Sequence, residues 1–455
     1  MGDGVRTVDV AKLVDERRLS AANYKLIVLS WLITVFDGFD QMMVSFTAPY
    51  MRDELALDKT MLGNVFSAGI AGMLIGGFLF SWLADRIGRR PAVIWAAYIF
   101  GFLTIATALA NSYEALLALR FLDGLAIGGM LPIAWALNIE FVPKRMRSTV
   151  VTVIMMGYSF GSAAAGPLTN WIAPYHGWQG VYVVGGVGTP ICATALFFYL
   201  PESVRFLVSK GRRPDLVAAT MKRLDPGLDI LADDRFILGD EPPARGNFHV
   251  RELFEGDLRL ITPLLWGGYL VSSLAIYFSS SWGPSLLEDL HVPRQTAALV
   301  SSANGLLGAA MGLALMRFTD RKGPISVVFC PALAVPVLLI LGLGFVSGAA
   351  FIPFVMLGAI FISGGHFGIL SICGIFYPSA IRASGAGWAT SIAKFGAVLG
   401  PIIGAMVLSS GMPLIRSYAL LAVCPAILAL CALGIAAVVR GRVGREPVPD
   451  AVAVS

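Results

Sequence analysis

Ser81-Trp82-Leu83-Ala84-Asp85-Arg86-Ile87-Gly88-Arg89-Arg90 is a short charged break between two long apolar runs. Its centre, Asp85-Arg86-Ile87-Gly88, returns as Asp320-Arg321-Lys322-Gly323, 235 residues further on. Phe141, Pro143 and Arg147 return as Phe376, Pro378 and Arg382 at the same offset, and so does Phe160-Gly161 as Phe395-Gly396. Each echo is slight alone, but three agreeing offsets mark an internal duplication. Two halves related by an axis along the membrane normal are expected to place a substrate site at mid-membrane between them.

Outward from that break, apolar runs of about 20 to 25 residues recur, the length that crosses a ~30 Å hydrocarbon core. We read spans at 24–50, 61–84, 91–110, 115–140, 148–172, 179–200, 260–284, 295–319, 325–347, 351–376, 384–409 and 415–440. Of the 455 residues, 56% are apolar and 14% are charged. A soluble chain is about one quarter charged, so a water-soluble enzyme is excluded. The 50 glycines suit membrane helices, where small residues allow close approach. The expected fold is all-α and polytopic, with 12 transmembrane helices in two six-helix bundles.

The net charge of +5 reflects topology and not nucleic-acid binding. With the N-terminus cytoplasmic, only Arg52, Lys59, Arg294 and Arg416 fall outside, Arg120 and Lys394 lie within spans, and every other Lys or Arg is inside. The positive-inside rule therefore sets both termini in the cytoplasm. Residues 1–23 read as a polar tail without a signal peptide, 24–200 as the first bundle, 201–259 as a solvated cytoplasmic connector carrying short amphipathic helices, 260–440 as the second bundle and 441–455 as a tail. The five cysteines, Cys192, Cys330, Cys373, Cys424 and Cys431, lie in apolar runs without metal-ligand spacing and read as small hydrophobes.

With its twelve spans and duplicated loops, the chain resembles the major facilitator superfamily, whose loop signature Gly-x-x-x-Asp-Arg-x-Gly-Arg-Arg stands at 81–90 with Ser81 for the first glycine. Asp37-Gly38-Phe39-Asp40, Arg120-Phe121-Leu122-x-Gly124 with Gly128-Gly129, and Pro201-Glu202-Ser203-x-Arg205-Phe206-Leu207 are similar to its aromatic acid:proton symporter family. So are Tyr377-Pro378-x-x-x-Arg382-Ala383-x-Gly385-x-Gly387-Trp388 and Gly400-Pro401. The resemblance implies proton-coupled uptake of an aromatic acid, and that Asp37 and Asp40 are required for transport.

A charge at the bilayer centre costs about 2.5–3.5 kcal/mol on insertion scales, so each one needs a partner or a purpose. Asp37 and Asp40 are three residues apart, on one helix face, and read either as a proton-coupling pair or as an ion pair with span 4. Arg120 is placed to meet Asp40 or to pair locally with Asp123. Lys394, where the family usually has arginine, is the expected anchor for a substrate carboxylate; the competing reading is snorkelling to the surface. His366, often glutamine in relatives, reads as a hydrogen-bonding group or as packing, and Asn304 and Tyr277 as polar groups of the same pocket. Asp85, Arg89, Glu140 and Arg147, with Arg382 at the repeat position of Arg147, read as a charge network latching the outward-open state, or as surface charge at span ends.

The expected function is import of a small aromatic carboxylate, such as a hydroxybenzoate, with protons, by rocking of the halves around a site between spans 1, 4, 7, 8, 10 and 11. The expected setting is the bacterial inner membrane, as a monomer without cofactor or metal. Another organic acid, such as a muconate-like dicarboxylate or a pyridine carboxylate, and export on the same scaffold are the alternatives. The spans carry no metal-ligand cluster, phosphate loop or nucleophile–base pair, so the chain is not read as an enzyme or an ATP-driven pump.

Overall fold

The computed structural model describes residues 6–17, 19–211, 213–224, 227–228, 230–231, 234–239, 249–322, 324–377 and 381–443, and their side chains except at 316, 319–322, 324, 371–376, 383 and 441–443. The second copies of the repeated motifs, Asp320 to Gly323, Phe376 and Pro378, thus fall outside the described side chains, as do Cys373 and the tail after 443.

Fifteen α-helices are described: α1 (Val10–Glu16), α2 (Ala21–Leu55), α3 (Lys59–Ile87), α4 (Arg89–Thr107), α5 (Tyr113–Glu140), α6 (Lys144–Tyr199), α7 (Val204–Ser209), α8 (Pro214–Leu224), α9 (Leu258–Asp289), α10 (Arg294–Lys322), α11 (Phe329–Gly342), α12 (Phe351–Phe376), α13 (Arg382–Ser409), α14 (Arg416–Leu421) and α15 (Val423–Val443). Among the described residues, 11 helical stretches are long and apolar enough to cross a membrane. One of them, α6, is 56 residues long and breaks at Gly177, whose φ of 64° no side chain favours,. It therefore supplies two crossings, and the twelve expected spans are accounted for. The span expected at 415–440 is split between α14 and α15. Pro425 lacks the N–H that would reach the Leu421 carbonyl and carry one helix through.

The chain forms two compact units, Met1–Leu57 with Ala68–Arg245, and Asp58–Ser67 with Gly246–Ser455. In the first, α3 and α5 meet through glycines on both sides: a methyl on Gly124 would strike the Gly69 carbonyl, and one on Gly72 the Phe121 carbonyl. Trp95, Phe102 and Phe198 stand 60–65% exposed on the outside of this unit, as befits a surface bathed in lipid. In the second unit, Leu265 and Tyr269 of α9, Ile369 of α12, Ala389 of α13 and Leu428 and Ile435 of α15 make the core.

In the described parts of the tail and connector, short amphipathic helices bury their apolar sides while Lys210, Arg213 and Asp215 stay exposed. Thr7–Asp9 (β1) pairs in parallel with Arg235–Ile237 (β2), Val8 opposite Phe236. Val10 and Val14 of α1 share one core with Leu207 of α7 and Val217, Met221 and Leu224 of α8. The Asp9 carboxylate accepts from Ala11 N (3.0 Å) and Gly239 N (3.1 Å), capping α1 while tying it to the connector,. Arg17 and Asn23 both donate to the Phe141 carbonyl, at 2.6 and 2.7 Å. The buried face of α1 is only Val10, Ala11 and Val14, two turns that do not stand out within a polar stretch.

Candidate functional site

Gly38 lets α2 lie directly against the Tyr158 backbone of α6, and Ser162 donates to the Gly38 carbonyl at 3.2 Å. That contact fixes the face of α2 carrying Asp37 and Asp40. The α3–α5 glycine crossing fixes Arg120 in the same way, since Gly69 lies against its backbone. Asp37, Asp40, Arg120 and Asp123 are all buried, with at most 5% exposure.

Arg120 grips Asp40 with two prongs, Nη1 to Oδ1 at 3.1 Å and Nη2 to Oδ2 at 3.0 Å. The same Nη1 donates to Asp123 Oδ2 at 2.8 Å. Both partners weighed from the sequence are therefore engaged at once. Thr104 lies 3.3 Å from Asp123 Oδ1, and the Tyr182 ring is 5.9 Å from the guanidinium carbon. Asp37 stands apart: both carboxylate oxygens are buried without a hydrogen-bond partner. A buried charge without a partner is among the most costly groups a protein can hold.

In the second unit, Tyr277 on α9, Asn304 on α10, His366 on α12 and Lys394 on α13 lie well inside their helices. Lys394 is half-buried and makes no hydrogen bond or ion pair among the described residues. Asn304 Oδ1 is buried without a partner. His366 Nδ1 is 3.1 Å from Ser272 Oγ, and Ser272 in turn donates to the Tyr269 carbonyl at 3.1 Å. When the Ser272 hydroxyl donates to Tyr269 it can accept from His366 Nδ1–H, and in that tautomer Nε2 carries the lone pair,. Tyr277 packs beside Gly400 of α13. No hydrogen bond or ion pair joins Lys394, His366 and Asn304 to one another.

The expected charge network is only partly assembled. Arg89 forms an ion pair with Glu140, which also accepts from Ser203 Oγ at 2.6 Å. Asp85 is exposed and reaches Arg89 only through its field. Arg147 and Arg382 hold no carboxylate in these contacts; each donates from Nε to the carbonyl five residues earlier, Val142 at 3.3 Å and Tyr377 at 3.2 Å. These two arginines thus brace equivalent turns of the repeat. Glu202, noticed only as part of a family motif, accepts from Arg89 N (2.9 Å), Arg90 N (3.0 Å) and Ser203 N (2.8 Å) and so caps α4 from a distance. Thr104 and Ser272 gave no signal in the sequence, because serine and threonine are common inside membrane helices.

A model of the Major Facilitator Superfamily matches residues 30–375. The chain is 33% identical to a gallate transporter of Pseudomonas putida, over 91% of this chain and 92% of that protein. It is 31% identical to the 4-hydroxybenzoate transporter PcaK of Pseudomonas putida, over 89% and 91%. In fold it is similar to the partially occluded, inward-open xylose transporter XylE of Escherichia coli, with a TM-score of 0.67, 16% identity and coverage of 90% and 97%.

Proposed function

The chain belongs to the Major Facilitator Superfamily, and from that premise we propose that it imports a small aromatic carboxylate together with protons. It is a multi-pass membrane transporter and not an enzyme. The observation carrying the proton coupling is Asp37: a buried carboxylate with no donor and no cation of its own is comfortable only with a proton. The Asp40–Arg120 pair beside it supplies a fixed, self-compensated charge pair. Proton loss from Asp37 would leave an anion competing for Arg120, which links protonation to the packing of α2 against α5.

Aromatic acid as cargo is supported by relatives named for gallate and 4-hydroxybenzoate and by the chemistry of the second unit. Lys394 offers an unpaired ammonium to a carboxylate. Asn304 Oδ1 and His366 Nε2 offer acceptors for ring hydroxyls, and Tyr277 an aromatic surface. A dicarboxylate would want a second cation at mid-span, and among the described residues of this unit Lys394 has no such companion. We place the protein in the bacterial inner membrane with both termini cytoplasmic, on the distribution of Lys and Arg, and assign it alternating access as a monomer. Direction follows the gradients, so an opposed gradient would drive export.

The test is uptake of labelled 4-hydroxybenzoate and gallate into proteoliposomes, with and without an inwardly directed proton gradient. We expect accumulation only with the gradient, and none from Asp37→Asn despite normal insertion. Undiminished gradient-driven accumulation by Asp37→Asn would refute the coupling role, and indifference of the wild type to either acid would refute the substrate class.

A further inference from the structure

Around Arg120 the charges do not balance. Two buried carboxylates, Asp40 from α2 and Asp123 from α5, face one guanidinium, and a third, Asp37, is buried on α2 with no partner. Its two-pronged grip neutralises Asp40,. Asp123 takes the second N–H of Nη1 at 2.8 Å, but the one positive charge of the guanidinium is already committed to Asp40,. The other elements packed here add no cation: α3 brings Gly69 and Gly72, α4 brings Thr104 and α6 brings the neutral Tyr182. Two negative charges are left over, one on Asp37 and one on Asp123.

We infer that Asp123 is a second proton-binding site, so that two protons accompany each monoanionic substrate. The inference rests on the reading of Asp37 as a proton carrier. Independent support comes from Thr104. Its hydroxyl lies 3.0 Å from the Phe100 carbonyl and 3.3 Å from Asp123 Oδ1. It can donate to the ionised carboxylate, or donate to Phe100 and accept from the protonated acid. Thr104 thus satisfies Asp123 in both states and needs only to turn its O–H bond between them. With two protons, a monoanion carries one net positive charge inward, and membrane potential becomes a driving force beside the pH gradient.

The experiment reads that charge. Wild type and variants are reconstituted in potassium-loaded proteoliposomes, and uptake of labelled 4-hydroxybenzoate is followed under an inside-negative valinomycin potential without a pH gradient. For one net charge, 100 mV supports an accumulation ratio of up to roughly 50-fold. A one-unit pH gradient alone supports up to about 100-fold with two protons and about 10-fold with one. We expect wild type and Asp123→Glu to respond to both forces, and Asp123→Asn to lose the response to potential while keeping the 10-fold pH-driven ratio. An Asp123→Asn protein that still answers the potential overturns the inference. So does a wild type driven by pH but not by potential, which leaves the parent reading intact; a wild type answering neither force overturns both. Should Asp123→Asn fail to insert, wild type and Asp123→Glu decide, since each must move one net charge per substrate.

Discussion

Arg120 serves two carboxylates with one guanidinium, and that makes it the least replaceable side chain of the first unit. Removing it leaves Asp40 and Asp123 buried and uncompensated, a change of the kind that costs about 3–5 kcal/mol. Arg120→Gln should therefore lower the thermal unfolding midpoint in detergent sharply, whereas Asp37→Asn, which replaces a buried acid that had no partner, should hold or raise it. Lys394 makes the opposite case, an unpaired cation whose loss costs the fold little. Lys394→Gln should raise the half-saturating concentration of 4-hydroxybenzoate about ten- to hundredfold, the worth of one charge-assisted hydrogen bond, with melting unchanged. Lys394→Arg should retain most of the affinity, because the charge persists. Equal uptake kinetics for wild type and Lys394→Gln would remove Lys394 from the substrate site.

At the scale of elements, the α3–α5 crossing has no room for a side chain. Gly124→Val should force these helices apart at a cost of about 3 kcal/mol or more, seen as loss of monodisperse protein after solubilisation. The N-terminal strap is held differently. Burial pushes the Asp15 carboxyl up, but the Lys144 backbone N–H, its ammonium and the field of Arg147 outweigh that and hold it below its ordinary value of 3.8. The carboxylate accepts from Lys144 N at 2.8 Å, and the ammonium lies at 3.2 Å. A lowered carboxyl stabilises the docked strap at every pH above its ordinary value and loses that contribution as pH falls below it. Amide protection factors over residues 10–16 should therefore be unchanged between pH 7 and 5 and fall at pH 3, and Asp15→Asn should abolish the change. The strap was illegible in the sequence for a physical reason: α1 has only two turns, and β1 pairs with a strand more than two hundred residues away. Spans, by contrast, announce themselves locally, since a 20-residue apolar run needs no distant partner to be recognised.

Over the whole molecule, the duplication proved more than a count of helices. Arg147 and Arg382, matched by an offset of 235, reach back to carbonyls at Val142 and Tyr377, again 235 apart. Charge at a span end does not by itself distinguish a carboxylate partner from a backbone carbonyl, and here the contacts of both arginines are to carbonyls. The mid-span ionisable residues were legible because each is costly in lipid, so its position carries information; how Arg120 divides itself between Asp40 and Asp123 was not, since one lies three residues away and the other eighty. Glu202 has a consequence for biogenesis. The first turn of α4 takes its cap from a residue 112 positions beyond Arg90, which the ribosome adds roughly 6 to 22 s later. During that interval the nascent third crossing sits in the bilayer with bare amides at its end, open to lipid headgroups or to an insertion factor. The N-terminal half can lock only once its sixth crossing has emerged.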